Sequence, residues 1–377
     1  MTRLGTRILI PVLLALAGSA RAQFPGDNPT PRELWRYRFD EVREPPLEAI
    51  GDPRSGALWV LQAAGDEPAR LVKIDSAGSP ARMLTIDAAA APLRPVPLGA
   101  PIRYPVALAP LRDALLIFHT APDGSLRARL VDEAGLRPPR ESAVDEPAGP
   151  VTGARAAADA DGAWLIGVRD GRRIAVRYDA RGAVRFRLRL AGEQCKDRAD
   201  LAPLDAAADA DGVWLLSKSA CGAPGVRVER VLASGREAAA ERIAVPGGWL
   251  AAADGGARLL ADTDPARLLS LPGGALRAID RPVQSAADSD ARLRFSALAG
   301  GPRALFAAGV RDAQPWLGAL DERGLLAWES QLPVGPVEGR PALVSAGPRL
   351  YLLIPLRLQG PSGEPEPALE IRAYAAE

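Results

Sequence analysis

The chain has 377 residues and nearly balanced charge, 47 Lys and Arg against 46 Asp and Glu, which argues against nucleic acid or an anionic membrane surface as its partner. One histidine, two cysteines and a single asparagine, Asn28, are too few for a catalytic zinc centre. The 37 glycines and 36 prolines disfavour long helices.

The N-terminus carries Arg3 and Arg7, then the apolar run "ILIPVLLALAG", then small residues at Ala20 and Ala22. That order is a secretory signal peptide over residues 1–22. The run falls short of the roughly 20 apolar residues that span a bilayer, and no cysteine follows it to take a lipid. The expectation is an exported chain, periplasmic or secreted and not membrane-spanning, with an N-terminal extension over 23–33 and one domain over 34–377.

Past the extension stands "LWRYRFD" (Leu34 to Asp40), an alternating segment with no complete unit of its own. A short apolar strand pattern then recurs: "ALWVL" from Ala57, "ALLIF" from Ala114, "AWLIG" from Ala163, "VWLLS" from Val213, "ARLLA" from Ala257, "ALFAA" from Ala304 and "LYLLI" from Leu350. A turn dipeptide precedes each copy, as in Asp161-Gly162 and Asp211-Gly212. Asp-x-x-Gly turns at Asp75–Gly78, Asp132–Gly135, Asp179–Gly182 and Asp321–Gly324 follow, flanked by alternating runs such as "RIAVRYD" and "AVRFRLRL". Period-two alternation about a glycine turn is a hairpin.

Each unit therefore contains a small Ala-rich strand, an apolar strand, an amphipathic strand and an outer strand. Seven such units of 44 to 57 residues predict an all-β, seven-bladed β-propeller of four-stranded antiparallel blades. The seventh unit stops after "LEIRAYA" without its fourth strand, and "LWRYRFD" supplies the surplus. The N-terminal strand is expected to complete the last blade, leaving no exposed sheet edge.

Asp159-Ala-Asp-Gly162 and Asp209-Ala-Asp-Gly212 carry calcium-loop residue types. No further carboxylate follows until Asp170 or Glu229, whereas a calcium loop needs five or more oxygen ligands at set spacing. They are expected to be turns.

The segments "WLGALDERGLLAWESQL" and "IAVRYDARGAVRFRLRL" resemble the repeats of quinoprotein-like propellers, the pyrroloquinoline-quinone type. The resemblance implies the scaffold, which is shared with non-enzymatic members of the group. It does not imply the cofactor: the quinone site's asparagine has no counterpart, because Asn28 precedes the first strand. No cofactor and no metal are expected.

His119 follows "ALLIF" beside a turn and is expected to be an exposed loop imidazole; no Gly-x-Ser-x-Gly elbow accompanies it. Cys195 and Cys221 fall in neighbouring connections on one face of the ring, and in an exported chain they are expected to form a disulfide. The same face gathers the longest connections, and Arg94, Arg103, Tyr104 and Arg198 on it are candidate binding residues.

Two functional readings follow. In the first, a monomeric, non-catalytic propeller binds an envelope protein or other extracytoplasmic ligand. In the second, a lyase or hydrolase uses carboxylates and Arg at the mouth of the central channel. Carboxylates converging on one Arg there, with perturbed pKa values, would favour the second, and a mouth lined by Ala and Gly alone the first.

Overall fold

The repeated pattern becomes four antiparallel strands in each of seven sheets in this computed structural model. The structure describes residues 31–39, 48–64, 67–85, 107–120, 125–132, 140–144, 151–192, 202–219, 224–253, 256–279, 293–301, 304–321, 324–334, 337–359 and 363–376. After the first strand, β1 (Arg32–Phe39), blade 1 is built from β2 (Glu48–Gly51), β3 (Leu58–Ala64), β4 (Glu67–Ile74) and β5 (Pro80–Thr85). Blade 2 comprises β6 (Ala107–Pro110), β7 (Ala114–Thr120), β8 (Leu126–Asp132) and β9 (Arg140–Ala143). Blade 3 comprises β10 (Thr152–Asp159), β11 (Gly162–Arg169), β12 (Arg172–Asp179) and β13 (Val184–Arg189). Blade 4 follows with β14 (Pro203–Asp209), β15 (Gly212–Lys218), β16 (Val226–Leu232) and β17 (Glu237–Ile243). Blade 5 has β18 (Gly248–Ala253), β19 (Gly256–Ala261), β20 (Arg267–Leu271) and β21 (Arg277–Ala278). Blade 6 has β22 (Arg294–Gly300), β23 (Leu305–Arg311), β24 (Gln314–Leu320) and β25 (Leu326–Gln331). Blade 7 has β26 (Ala342–Ala346), β27 (Arg349–Gln359) and β28 (Pro365–Ala375).

The fourth strand of blade 7 is β1, as the sequence predicts. It pairs antiparallel with β28, from Arg32 opposite Ala375 to Phe39 opposite Leu369. A buried ion network ties this seam. Glu370, fully enclosed, lies 2.7 Å from both Arg38 and Arg372, and Arg372 also reaches Glu33 at 3.4 Å. Those guanidinium groups outweigh the desolvation of Glu370 and hold its carboxyl below the usual carboxylate range.

Side chains on the faces of each blade pack against the next. The apolar residues form seven clusters, each drawing on two adjacent blades, and the cluster joining blade 7 to blade 1 closes the circle. The innermost strands are consistent with that order: β2 lies beside both β26 and β6. Burial of each blade's apolar second strand, such as the wholly buried β11, supplies the main stabilisation.

The Asp-x-x-Gly turns have a packing role that the sequence did not disclose. In the three whose glycine lies among the described residues, that glycine has φ between 79 and 89° and presses on the preceding blade: Gly78 on Trp35, Gly182 on Leu130 and Gly324 on Leu268. A Cβ at Gly78 would stand 2.6 Å from the Trp35 ring. The aspartate holds the turn from inside, since Asp179 Oδ1 accepts from the Arg181 and Ala183 amides. Turn and inter-blade contact are thus one device.

His119 departs from expectation. It lies within β7, opposite Arg127, and is 3 % exposed. The second strand runs on to Thr120 and carries the imidazole inward.

Candidate functional site

The innermost strands are mostly alanine and glycine, because side chains crowd where seven sheets converge. Charged residues interrupt that pattern on β2, β10, β14 and β22, among them Glu48, Arg155 and Asp205. Trp59, Trp164 and Trp214 on the second strands of blades 1, 3 and 4 face Ile50, Ala157 and Ala207. Two residues earlier on the inner strands stand Glu48, Arg155 and Asp205, opposite Leu61, Ile166 and Leu216. The three therefore occupy one level of the ring, towards the end where chains enter the inner strands. Trp249 of blade 5 is at the same level, opposite Leu260.

These groups interact across the channel. Glu48 feels the Arg155 and Asp205 charges although they belong to blades 3 and 4. Arg155 is anchored: its Nε donates to the Leu204 carbonyl at 3.2 Å and Nη1 to the Ala154 carbonyl at 3.1 Å. Asp205 is anchored too, its Oδ1 accepting from the Ala206 amide and Oδ2 from the Leu250 amide, each at 2.8 Å. Glu48 has no such tether among the described residues; the effects on it are desolvation and the two facing charges.

Burial pushes the Glu48 carboxyl up to about 7; Arg155 pulls it back and Asp205 adds to the rise. Burial likewise raises Asp205 to about 6, against the two amides and Arg155, which lower it. Both side chains are half-buried and Arg155 is exposed, so water in the channel reaches a cluster that protein surrounds. The protein thus holds two carboxyls near neutral pKa beside one guanidinium.

At the other end of the channel, Arg54 spans from the first turn of blade 1 to blade 3. Its Nη2 donates to the carbonyls of Asp159 at 3.2 Å and Ala160 at 3.5 Å. The bridge bypasses blade 2 and crosses that mouth of the channel, at the end away from the cluster.

The paired Asp-x-Asp-Gly segments are turns. Asp159 Oδ1 accepts from the Asp161 amide, and its carboxylate takes a two-pronged ion pair from Arg177 at 2.7 and 2.9 Å. Arg177 also lies 5.0 Å above the Trp164 ring. Asp209, Arg230 and Trp214 repeat the arrangement more loosely, with the ion pair at 3.5 Å and the cation 4.9 Å above the ring. Those carboxylates are already occupied by protein donors. Among the described residues no group of three or more His, Cys, Asp or Glu is placed to hold a metal ion.

A separate cleft of about 1120 Å3 opens between blades 5 and 6, with Asp262, Asp264, Arg294 and Arg340 on its walls. Those four side chains are exposed and solvated. The channel cluster, where charge is withdrawn from water, is the better candidate despite the cleft's size.

Cys195, Cys221, Arg94, Arg103, Tyr104 and Arg198 lie outside the described residues. The channel cluster was not among the sequence-derived candidates. Its signal was a charge four residues ahead of the turn aspartate in an alanine-rich inner strand, Arg155 in "TGARAAAD" and Asp205 in "PLDAAAD".

No family model matches the chain, and no curated protein matches it. Among solved structures, the chain is similar to the Myceliophteria thermophila Cps50 (Swd1) β-propeller domain, at 14 % identity and TM-score 0.53, over 92 % of this chain and 100 % of that one. It is also similar to BBS1N, solved in complex with ARL6DN, at 14 % identity and TM-score 0.50, over 92 % of this chain and 98 % of that one. At such identity the likeness is one of fold: the chain is a seven-bladed β-propeller.

Proposed function

We propose that this protein is an exported, ligand-binding propeller whose site is the channel cluster of Glu48, Arg155 and Asp205. The observation that carries the reading is the convergence of three charged side chains from blades 1, 3 and 4 at one level of an alanine-rich channel. Burying charge without full pairing opposes folding, and such groups concentrate where a ligand completes them. The basic, apolar and small-residue order of residues 1–22 supports export. The Asp-x-x-Gly turns followed by an aromatic-bearing outer strand, with Phe186 after Gly182 and Trp328 after Gly324, support kinship with quinoprotein-like repeats. BBS1N, crystallised with a protein partner, supports recognition as a use to which this fold is put.

The carboxylate-enzyme reading keeps one specific observation in its favour: a Glu48 carboxyl near 7 can exchange a proton at neutral pH. Binding is favoured because backbone amides hold Asp205 and carbonyls hold Arg155, leaving only Glu48 untethered as a proton carrier.

The test starts from protein recovered from the extracytoplasmic fraction of the expressing cells, with an intact mass that begins near Gln23. A thermal-shift screen against small polar and charged metabolites is then run on the wild type, Glu48→Gln and Arg155→Met. The expected result is a ligand that stabilises the wild type and whose affinity changes at least tenfold in at least one of the two variants. Ligands that stabilise all three proteins equally, or a panel that stabilises none, would contradict the site.

A further inference from the structure

We infer that the channel site takes a compact organic cation, a primary ammonium or a guanidinium, seated on Glu48 between the Arg155 and Asp205 positions. The inference rests on the channel being the ligand site and adds the ligand's chemistry. Four observations lead to it.

At this level of the ring two carboxyl groups face one guanidinium, and that guanidinium already spends its Nε and Nη1 donors on the Leu204 and Ala154 carbonyls. Both lone-pair directions engaged at Asp205 go to backbone amides of Ala206 and Leu250. Glu48 is the group left to receive a ligand. Next, the strands around Glu48 carry no charge of their own. β3 offers "LWVLQAA", β6 "ALAP" and β26 "ALVSA", so among the described residues the charged groups that act on Glu48 are Arg155 and Asp205.

An anion entering here would meet one partly committed guanidinium and be repelled by two carboxylates. A cation would meet the reverse, and its arrival would displace the proton that the buried Glu48 carboxyl holds. The raised Glu48 carboxyl is the mark of that unmet demand. Finally, Trp249 stands at the same level, opposite Leu260, and offers a ring to the ligand's apolar part.

Binding is then coupled to loss of the Glu48 proton. Below pH 7 each bound cation releases up to one proton, and affinity rises by up to about tenfold per pH unit, levelling off above the Glu48 pKa.

The experiment uses the mature protein at 150 mM salt, agmatine and 1,5-diaminopentane as cationic probes, and glutarate as the anionic control. Calorimetry gives affinity from pH 5 to 8, and NMR follows the amides of Ala49, Ala156, Ala206 and Leu250. The expected result is that a cation shifts these amides, binds more tightly as pH rises to 7, and loses at least tenfold in affinity in Glu48→Gln, whose folding the same spectra report. Glutarate binding that is lost in Arg155→Met, with no cation binding, would leave the channel site standing and overturn the cation assignment. Cation shifts that ignore Glu48→Gln would overturn it as well. Silence of the channel amides towards all three probes would overturn both the assignment and the site on which it rests.

Discussion

At the scale of single residues, the two Asp-x-Asp-Gly turns are alike in sequence and unlike in energetics. Asp159 is 7 % exposed and clasped by Arg177, itself 2 % exposed, whereas the Asp209 and Arg230 side chains are 19 % and 18 % exposed and 3.5 Å apart. Truncating one partner of a buried pair leaves the other charged and unpaired. Asp159→Ala is therefore expected to cost about 3–5 kcal/mol, and Asp209→Ala about 1 kcal/mol. Equilibrium unfolding in urea measures both; equal losses would show that the two pairs do not differ as the geometry says. The turns were legible in the sequence because turn chemistry is local. Their arginine partners were not, since Arg177 lies 18 residues from Asp159 and is brought to it only by the register of β10, β11 and β12. The same holds for Glu48, Arg155 and Asp205, which meet only after blades 1, 3 and 4 are arranged around an axis. His119 was misjudged because a strand ran two residues past its apolar core and buried the ring.

At the scale of elements, the closing strand was predictable from counting, since a unit short of its fourth strand and a strand short of a unit occur at opposite ends. Its strength was not. Arg38 and Arg372 on Glu370, with Leu34, Trp35, Tyr37 and Phe39 packed on the blade 7–blade 1 cluster, make β1 an integral part of the ring. Because Arg32 stands directly opposite Ala375, a hairpin turn can join the two termini. A circular permutant that begins at Glu48 and carries Pro31–Phe39 after a short turn beyond Ala376 is expected to fold to the same ring. Its melting temperature and far-ultraviolet spectrum should match those of the parent. A permutant that is insoluble or melts more than 10 °C lower would mean that the seam depends on the original chain order.

At the scale of the whole molecule, seven inter-blade clusters make a closed rigid ring, and the ring makes the channel. Composition and repeat length were enough to infer that architecture, since each blade repeats a period-two pattern with a turn at either end. The charged cluster belongs to a higher level, because its members are scattered over more than 150 residues and share only a height along the axis. Its central property is that Glu48 opposes folding when ionised. Burial pushes the folded carboxyl from the ordinary 4.5 up to about 7, so the folded form holds its proton more tightly. The stabilisation from that proton is complete below about pH 4.5 and is lost as pH rises through 7. Such a shift corresponds to at most about 3 kcal/mol, and channel water reduces it to roughly 1–2 kcal/mol. For a ring of this length, that is a melting shift of about 2 °C. Glu48→Gln, which mimics the neutral carboxyl, removes the loss.

The direct measurement is scanning calorimetry of wild type and Glu48→Gln, free of ligand, at pH 4 and pH 8. The account predicts coincident melting at pH 4 and a variant that melts about 2 °C above the wild type at pH 8. A variant that melts at or below the wild type at pH 8 would show that Glu48 is a satisfied structural carboxylate, and the channel would lose its claim to be a binding site.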